Sequence, residues 1–142
     1  MSSHSSVLTA PPRERVSEDV LAQLFRQART HTSWRPNPIP ESVLRELYDL
    51  VRLGPTSANT QPARFVFLTS GEAKQRLLPA LSEGNREKSR TAPAVALIAW
   101  DTRFYEHLPR VYPQSKSMRD YFAGHPERIE ETAFRNSSLQ AG

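Results

Sequence analysis

The chain has 142 residues, a size typical of one globular domain. It holds no cysteine, which excludes disulfides, thiolate metal sites and thiol nucleophiles, and no apolar run approaches the ~18 residues of a membrane span. The formal net charge is +4, with the excess in residues 61–100, where six basic residues face three acidic ones; that is too mild a patch for a nucleic-acid tail.

An apolar share of 37% and 12 prolines predict one lean domain with long loops. The opening Met1-Ser2-Ser3-His4-Ser5-Ser6 lacks the charged-then-apolar order of a signal peptide, so a cytoplasmic protein is expected. Residues 1–16 read as a flexible arm and 17–142 as the domain. Ser17 is placed to cap a helix over 18–29, with Glu18 and Asp19 in its first turn and Val20, Leu21, Leu24, Phe25 and Ala28 as its stripe. The prolines Pro36, Pro38 and Pro40 interrupt regular structure. A second helix then carries Val43, Leu44, Leu47, Leu50 and Val51 and stops at Gly54-Pro55.

The run Phe65-Val66-Phe67-Leu68 predicts a strand. Residues 72–83 predict a helix bent at Pro79, and Arg86-Glu87-Lys88-Ser89-Arg90 a solvated helix face. The uninterrupted Ala94–Trp100 predicts a central strand covered on both sides. Residues 101–117 read as loop with a short helix. A last helix over 126–140 has a thin stripe of Ile129, Ala133, Phe134 and Leu139, with Glu130 and Glu131 on its solvated side. The order predicts an α+β or α/β layered domain, but two strands are too few for a stable sheet, so a partner chain or further sequence is implied.

The five glycines form neither a dinucleotide-binding fingerprint nor a phosphate loop, and no serine sits in a nucleophile elbow. The four histidines are scattered without metal-ligand spacing, so no metal site is expected. Two loops offer recognition chemistry instead. Arg29-Thr30-His31 supplies a guanidinium fork, a hydroxyl and an imidazole suited to phosphate oxygens, or simply a cation at a helix C-terminus. Pro55-Thr56-Ser57-Ala58-Asn59-Thr60-Gln61-Pro62 sets amides and hydroxyls between stiffening prolines. It can face the edge of a planar heterocycle, or serve as a polar connection.

Taken together, these loops resemble the nitroreductase family: Arg29-Thr30-His31 after helix one, then Leu53-Gly54-Pro55-Thr56-Ser57-Ala58-Asn59, then Gln61-Pro62-Ala63-Arg64-Phe65-Val66-Phe67. Two further segments, Leu78–Asn85 and Glu131–Gln140, are similar to the malonic semialdehyde reductase branch, associated with pyrimidine degradation. The resemblance covers about residues 20–142. It implies an α+β sandwich of a central sheet and helices, and an FMN-dependent homodimer with the cofactor at the interface. Arg29, Thr30 and His31 would lie at the phosphate and ribityl end. Pro55, Thr56, Ser57, Asn59 and Gln61 would approach the flavin from the other subunit. Hydride would pass from NAD(P)H through FMN to a small acceptor, malonic semialdehyde (giving 3-hydroxypropionate) or a nitro or quinone compound. No catalytic side chain, metal, nucleic acid or membrane is implied. Two departures stand out: Ala63 replaces a common bulky residue, and family members run on past the point matching Gly142. The second implies an N-terminal portion with an incomplete sheet. The alternative is an inactive fragment of the family with weak or no flavin binding.

Overall fold

A computed structural model describes residues 14–142; the greater part of the expected arm, 1–13, lies outside the described residues. The chain divides into two units, Met1–Thr32 and Ser33–Gly142.

In the first unit, Ser17 is extended and its hydroxyl accepts from Val20 N at 3.4 Å, which starts helix α1 (Glu18–Leu21) with Glu18 and Asp19 in the first turn. The helix then widens into a π-helical turn, Ala22–Arg26, closed by Gln27 N donating to Ala22 O at 2.8 Å. The expected 18–29 helix therefore ends three residues early, because the wide turn breaks the i→i−4 ladder, and Arg29 lies beyond it.

The second unit begins its regular structure with α2 (Glu41–Val51), entered through Pro40, which has no N–H to leave unpaired. Of its stripe only Leu44 is buried; Val43, Leu47 and Leu50 are exposed. Strands β1 (Ala63–Leu68) and β2 (Val95–Trp100) pair antiparallel, with Ala63 opposite Trp100 and Leu68 opposite Val95. Between them run α3 (Gly71–Leu77), capped by the Ser70 hydroxyl, a 3-10 turn at Pro79, and α4 (Glu83–Thr91). The bend at Pro79 is where the sequence predicts it. The basic stretch 86–90 lies on α4, a helix with no buried residue.

After β2 come a 3-10 turn (Phe104–His107), α5 (Leu108–Val111), α6 (Ser117–Ala123) and α7 (Pro126–Ala141). Phe104, Leu108, Phe122 and Ala133 form the core, with Met118 and Ile129 packed against it. Phe104 and Phe122 meet edge-to-face, ring centroids 4.9 Å apart. This places the core beside the sheet, within the segment 101–117 expected to be mostly loop and its neighbours α6 and α7.

Three expectations are corrected. Strand β2 is not covered on both sides among the described residues: Leu97, Ile98 and Trp100 remain more than a third exposed, because a two-stranded sheet receives α7 but no second covering layer. Helix α7 buries only half of its apolar stripe, with Ala133 in the core and Ile129 against it. Phe134 and Leu139 are 53% and 69% exposed, while Asn136, Ser137 and Gln140 are buried beside Ala133, because the amides turn toward unpaired backbone groups of the preceding loop. Glu130 is not merely solvated: its carboxylate accepts from the Trp100 indole N–H at 2.9 Å, beside the Trp100–Phe134 ring pair.

Candidate functional site

The segment between α2 and β1 has the most unusual backbone among the described residues. Ala58, Asn59 and Gln61 all have left-handed φ angles, of 48°, 52° and 41°, and none is glycine. Each such residue costs about 1–2 kcal/mol against a right-handed conformation, although asparagine tolerates it better than most. Strain of this kind persists only where neighbouring contacts impose it, and it concentrates at binding and catalytic sites.

The contacts are visible. Thr56 organises the turn from within: its carbonyl accepts from Asn59 N at 3.1 Å and its hydroxyl from Gln61 N at 3.2 Å. Asn59 donates through Nδ2 to the Val111 carbonyl and accepts through Oδ1 from Gln61 Nε2, both at 2.6 Å. Helix α7 holds the two ends. Ser57 N donates to Asn136 Oδ1 at 2.8 Å, and Ala63 N to Gln140 Oε1 at 3.3 Å. Asn136 is itself fixed, its Nδ2 donating to Thr132 O at 2.8 Å. A buried amide that serves a backbone N–H in this way replaces a bond the loop could not otherwise make away from water.

The expected residues Thr56, Ser57, Asn59 and Gln61 are thus brought together in one clamped loop, with Pro55 leading into it. Pro55, Ser57 and Asn59 are exposed and Thr56 and Gln61 half-buried. Arg29, Thr30 and His31 belong to the other unit and are all exposed. Arg29 donates to the carbonyls of Ala28 (2.7 Å) and Arg26 (3.3 Å), as a cation just past a helix C-terminus does. Arg29 and His31 also line an open depression of about 520 Å³ with Gln23, Gln27 and Asp19.

Sequence reasoning missed the clamp residues Asn136 and Gln140 as part of the site. Their signal is a polar stripe at i, i+4 spacing, Thr132, Asn136 and Gln140, on the helix face that packs inward.

The family model that matches this chain is the nitroreductase family, over residues 25–134. The chain belongs to the nitroreductase family. Solved structures similar to this nitroreductase-family chain share its fold. One is a Bacillus subtilis protein described as a nitroreductase, with a TM-score of 0.72 and 23% identity, covering 87% of this chain and 67% of its own. An Exiguobacterium sibiricum protein of the same description, solved in complex with FMN, has a TM-score of 0.72 and 20% identity, covering 90% and 68%. An enone reductase of a gut-bacterial fatty acid saturation metabolism has a TM-score of 0.72 and 22% identity, covering 89% and 68%. The chain thus spans about two thirds of the length of these structures. As an α+β nitroreductase-family oxidoreductase it has, among the described residues, no helix long and apolar enough to cross a membrane and no cluster of potential metal ligands.

Proposed function

We propose that this chain is a cytoplasmic FMN-dependent reductase of a small acceptor, using NAD(P)H, with residues 17–142 as the N-terminal portion of a nitroreductase-like domain. The observation that carries this reading is the clamped loop: three left-handed residues held by five hydrogen bonds that involve a side chain, presenting Ser57 and Asn59 to solvent. Such an expenditure of conformational strain has no purpose in a simple connection between a helix and a strand.

The donor set fits FMN. Arg29 has a planar guanidinium and lies exposed in an open depression, so it can exchange its two carbonyl contacts for phosphate oxygens. Thr30 and His31 add a hydroxyl and an imidazole for the ribityl end. From the other subunit of the dimer, Ser57, Asn59 and Gln61, framed by Pro55 and Thr56, would offer hydroxyl and amide groups to the ring edge, whose N–H and C=O groups need both donors and acceptors. Bound FMN would supply two-electron transfer between NAD(P)H and the acceptor, so the chain needs no nucleophile or metal of its own. Its residues bind and orient; the clamp keeps the loop amides fixed before a ligand arrives.

Of the acceptors, malonic semialdehyde follows from the branch-like segments Leu78–Asn85 and Glu131–Gln140, and nitro or quinone compounds from the family. A homodimer belongs to the same proposal. It is supported by the exposed apolar residues Leu50, Leu53, Phe134 and Leu139, side chains that a second copy could cover.

The test is the visible spectrum of the purified chain after incubation with FMN. A yellow protein whose absorbance is bleached by NADH or NADPH under anaerobic conditions and restored by an added acceptor supports the reading. A folded but colourless protein overturns it.

A further inference from the structure

We propose that a basic cavity beside the loop is a binding site for a small oxyanion, the carboxylate or phosphate group of a ligand. The cavity has a volume of about 310 Å³ and lies entirely within the second unit, between the end of α2, strand β1 and the turn leading into α5. Three arginines from three separate elements line it: Arg52, Arg64 and Arg110, with His107 beside them. Apolar surface from Tyr48 and Phe65 forms part of the wall.

The charges do not cancel. Arg52 Nε is engaged by Asp49 at 2.9 Å and Arg64 by Asp101 at 2.5 Å. His107 Nε2 stands 3.8 Å from the same Asp101 carboxylate. Arg110 has no ion-pair or hydrogen-bond partner among the described residues. Three guanidiniums therefore share two carboxylates, and the surplus fork is at the cavity. A guanidinium presents parallel N–H groups that match a carboxylate or phosphate in a two-point contact.

A second, independent observation points to the same place. Thr60, 2% exposed, also lines the cavity, and its hydroxyl has no hydrogen-bond partner. A buried hydroxyl without a partner is rare and costly, and a turn of the Thr60 side chain toward the cavity would let a ligand oxygen accept from it. The volume sits at the small end of ligand sites, room for a short acid or a phosphate rather than a nucleotide. Gln61 and Val111 also line this cavity, and Val111 O is the acceptor for Asn59. An anion bound there would lie against the loop that presents Ser57 and Asn59.

Isothermal titration of the full chain at fixed ionic strength tests this with three probes: malonate, inorganic phosphate and the neutral malonamide. One saturable site for malonate or phosphate and none for malonamide is expected. The stronger of the two anions identifies the source chemistry, carboxylate or phosphate. Arg110→Gln should weaken that anion by about tenfold or more. Arg110→Lys should restore part of the loss, and Arg135→Gln, which removes an equal charge from the surface of α7, should leave binding unchanged. No binding of either anion overturns the proposal, as does equal binding by Arg110→Gln, or an equal loss in Arg135→Gln, which would mean attraction by net charge. The titration is read on the protein without flavin, so its failure leaves the flavin proposal standing.

Discussion

Replacing Asn136 by alanine is the sharpest test of the clamp. Asn136 is 6% exposed and its Oδ1 is the partner of Ser57 N at 2.8 Å. Its loss strands that N–H, at a cost of about 1–3 kcal/mol for an unsatisfied group. Two corrections bring the figure down. Ser57 is exposed, so water takes over part of the bond, and alanine gains up to about 0.7 kcal/mol of helix propensity over asparagine. A net destabilisation of about 1 kcal/mol follows, read from the urea midpoint. The loop should suffer more than the whole. Its three left-handed residues store about 3–6 kcal/mol, and bonds worth about 0.5–1.5 kcal/mol each hold them. Removing one should raise local opening by about fivefold or more, seen as faster hydrogen exchange at the amides of Asn59, Thr60 and Gln61. Unchanged stability together with unchanged exchange at these three amides would refute the clamp.

Other outcomes follow from the same geometry. Ala58→Gly should raise stability by up to about 1 kcal/mol, relief of the left-handed strain outweighing added chain entropy, whereas Ala58→Val should lower it; denaturant midpoints decide. Phe104→Ala, at a fully buried core position, should cost about 3–5 kcal/mol in the same assay. Arg29→Ala should weaken FMN retention by about 1.5–3 kcal/mol, measured by fluorescence titration; unchanged affinity would remove Arg29 from the site. The Arg90 hydrogen bond, aided by its charge, holds the Glu87 carboxyl below its ordinary pKa. A lowered carboxyl pKa stabilises the fold above the ordinary glutamate range, and that support is lost as pH falls through the lowered value. Helix α4 should therefore lose ellipticity in acid with a component absent from Glu87→Gln.

Much of this was legible in the residues, and what was not has identifiable causes. Ser17 declares its cap, and Phe65–Leu68 and Val95–Trp100 declare strands by composition, because local chemistry decides both. The recognition loop shows itself through prolines flanking amides and hydroxyls. Its left-handed residues do not, since Ala58 and Gln61 carry no turn preference; contacts from α5 and α7 impose that shape. Phe104 stands alone in a 3-10 turn without periodicity, so its place at the centre of the core is a tertiary fact. The α7 amides read as a polar face by composition, and only the open N–H groups of a distant segment make that face the inner one. Arg110 looks like any surface cation until the fold sets it beside Arg52 and Arg64.

The distance along the chain between loop and clamp has a consequence for synthesis. Ser57 and Asn136 are 79 residues apart, and Ala63 and Gln140 are 77 apart. At translation rates of about 5–20 residues per second, roughly 4–16 seconds separate the emergence of the loop from that of the helix that shapes it. During that interval the bonds from Thr56 and Val111 act without the two from α7, and the segment also samples ordinary right-handed and extended backbone. The recognition surface therefore takes its final shape only once α7 has emerged, and a ribosome stalled before α7 displays a chain that cannot yet present it.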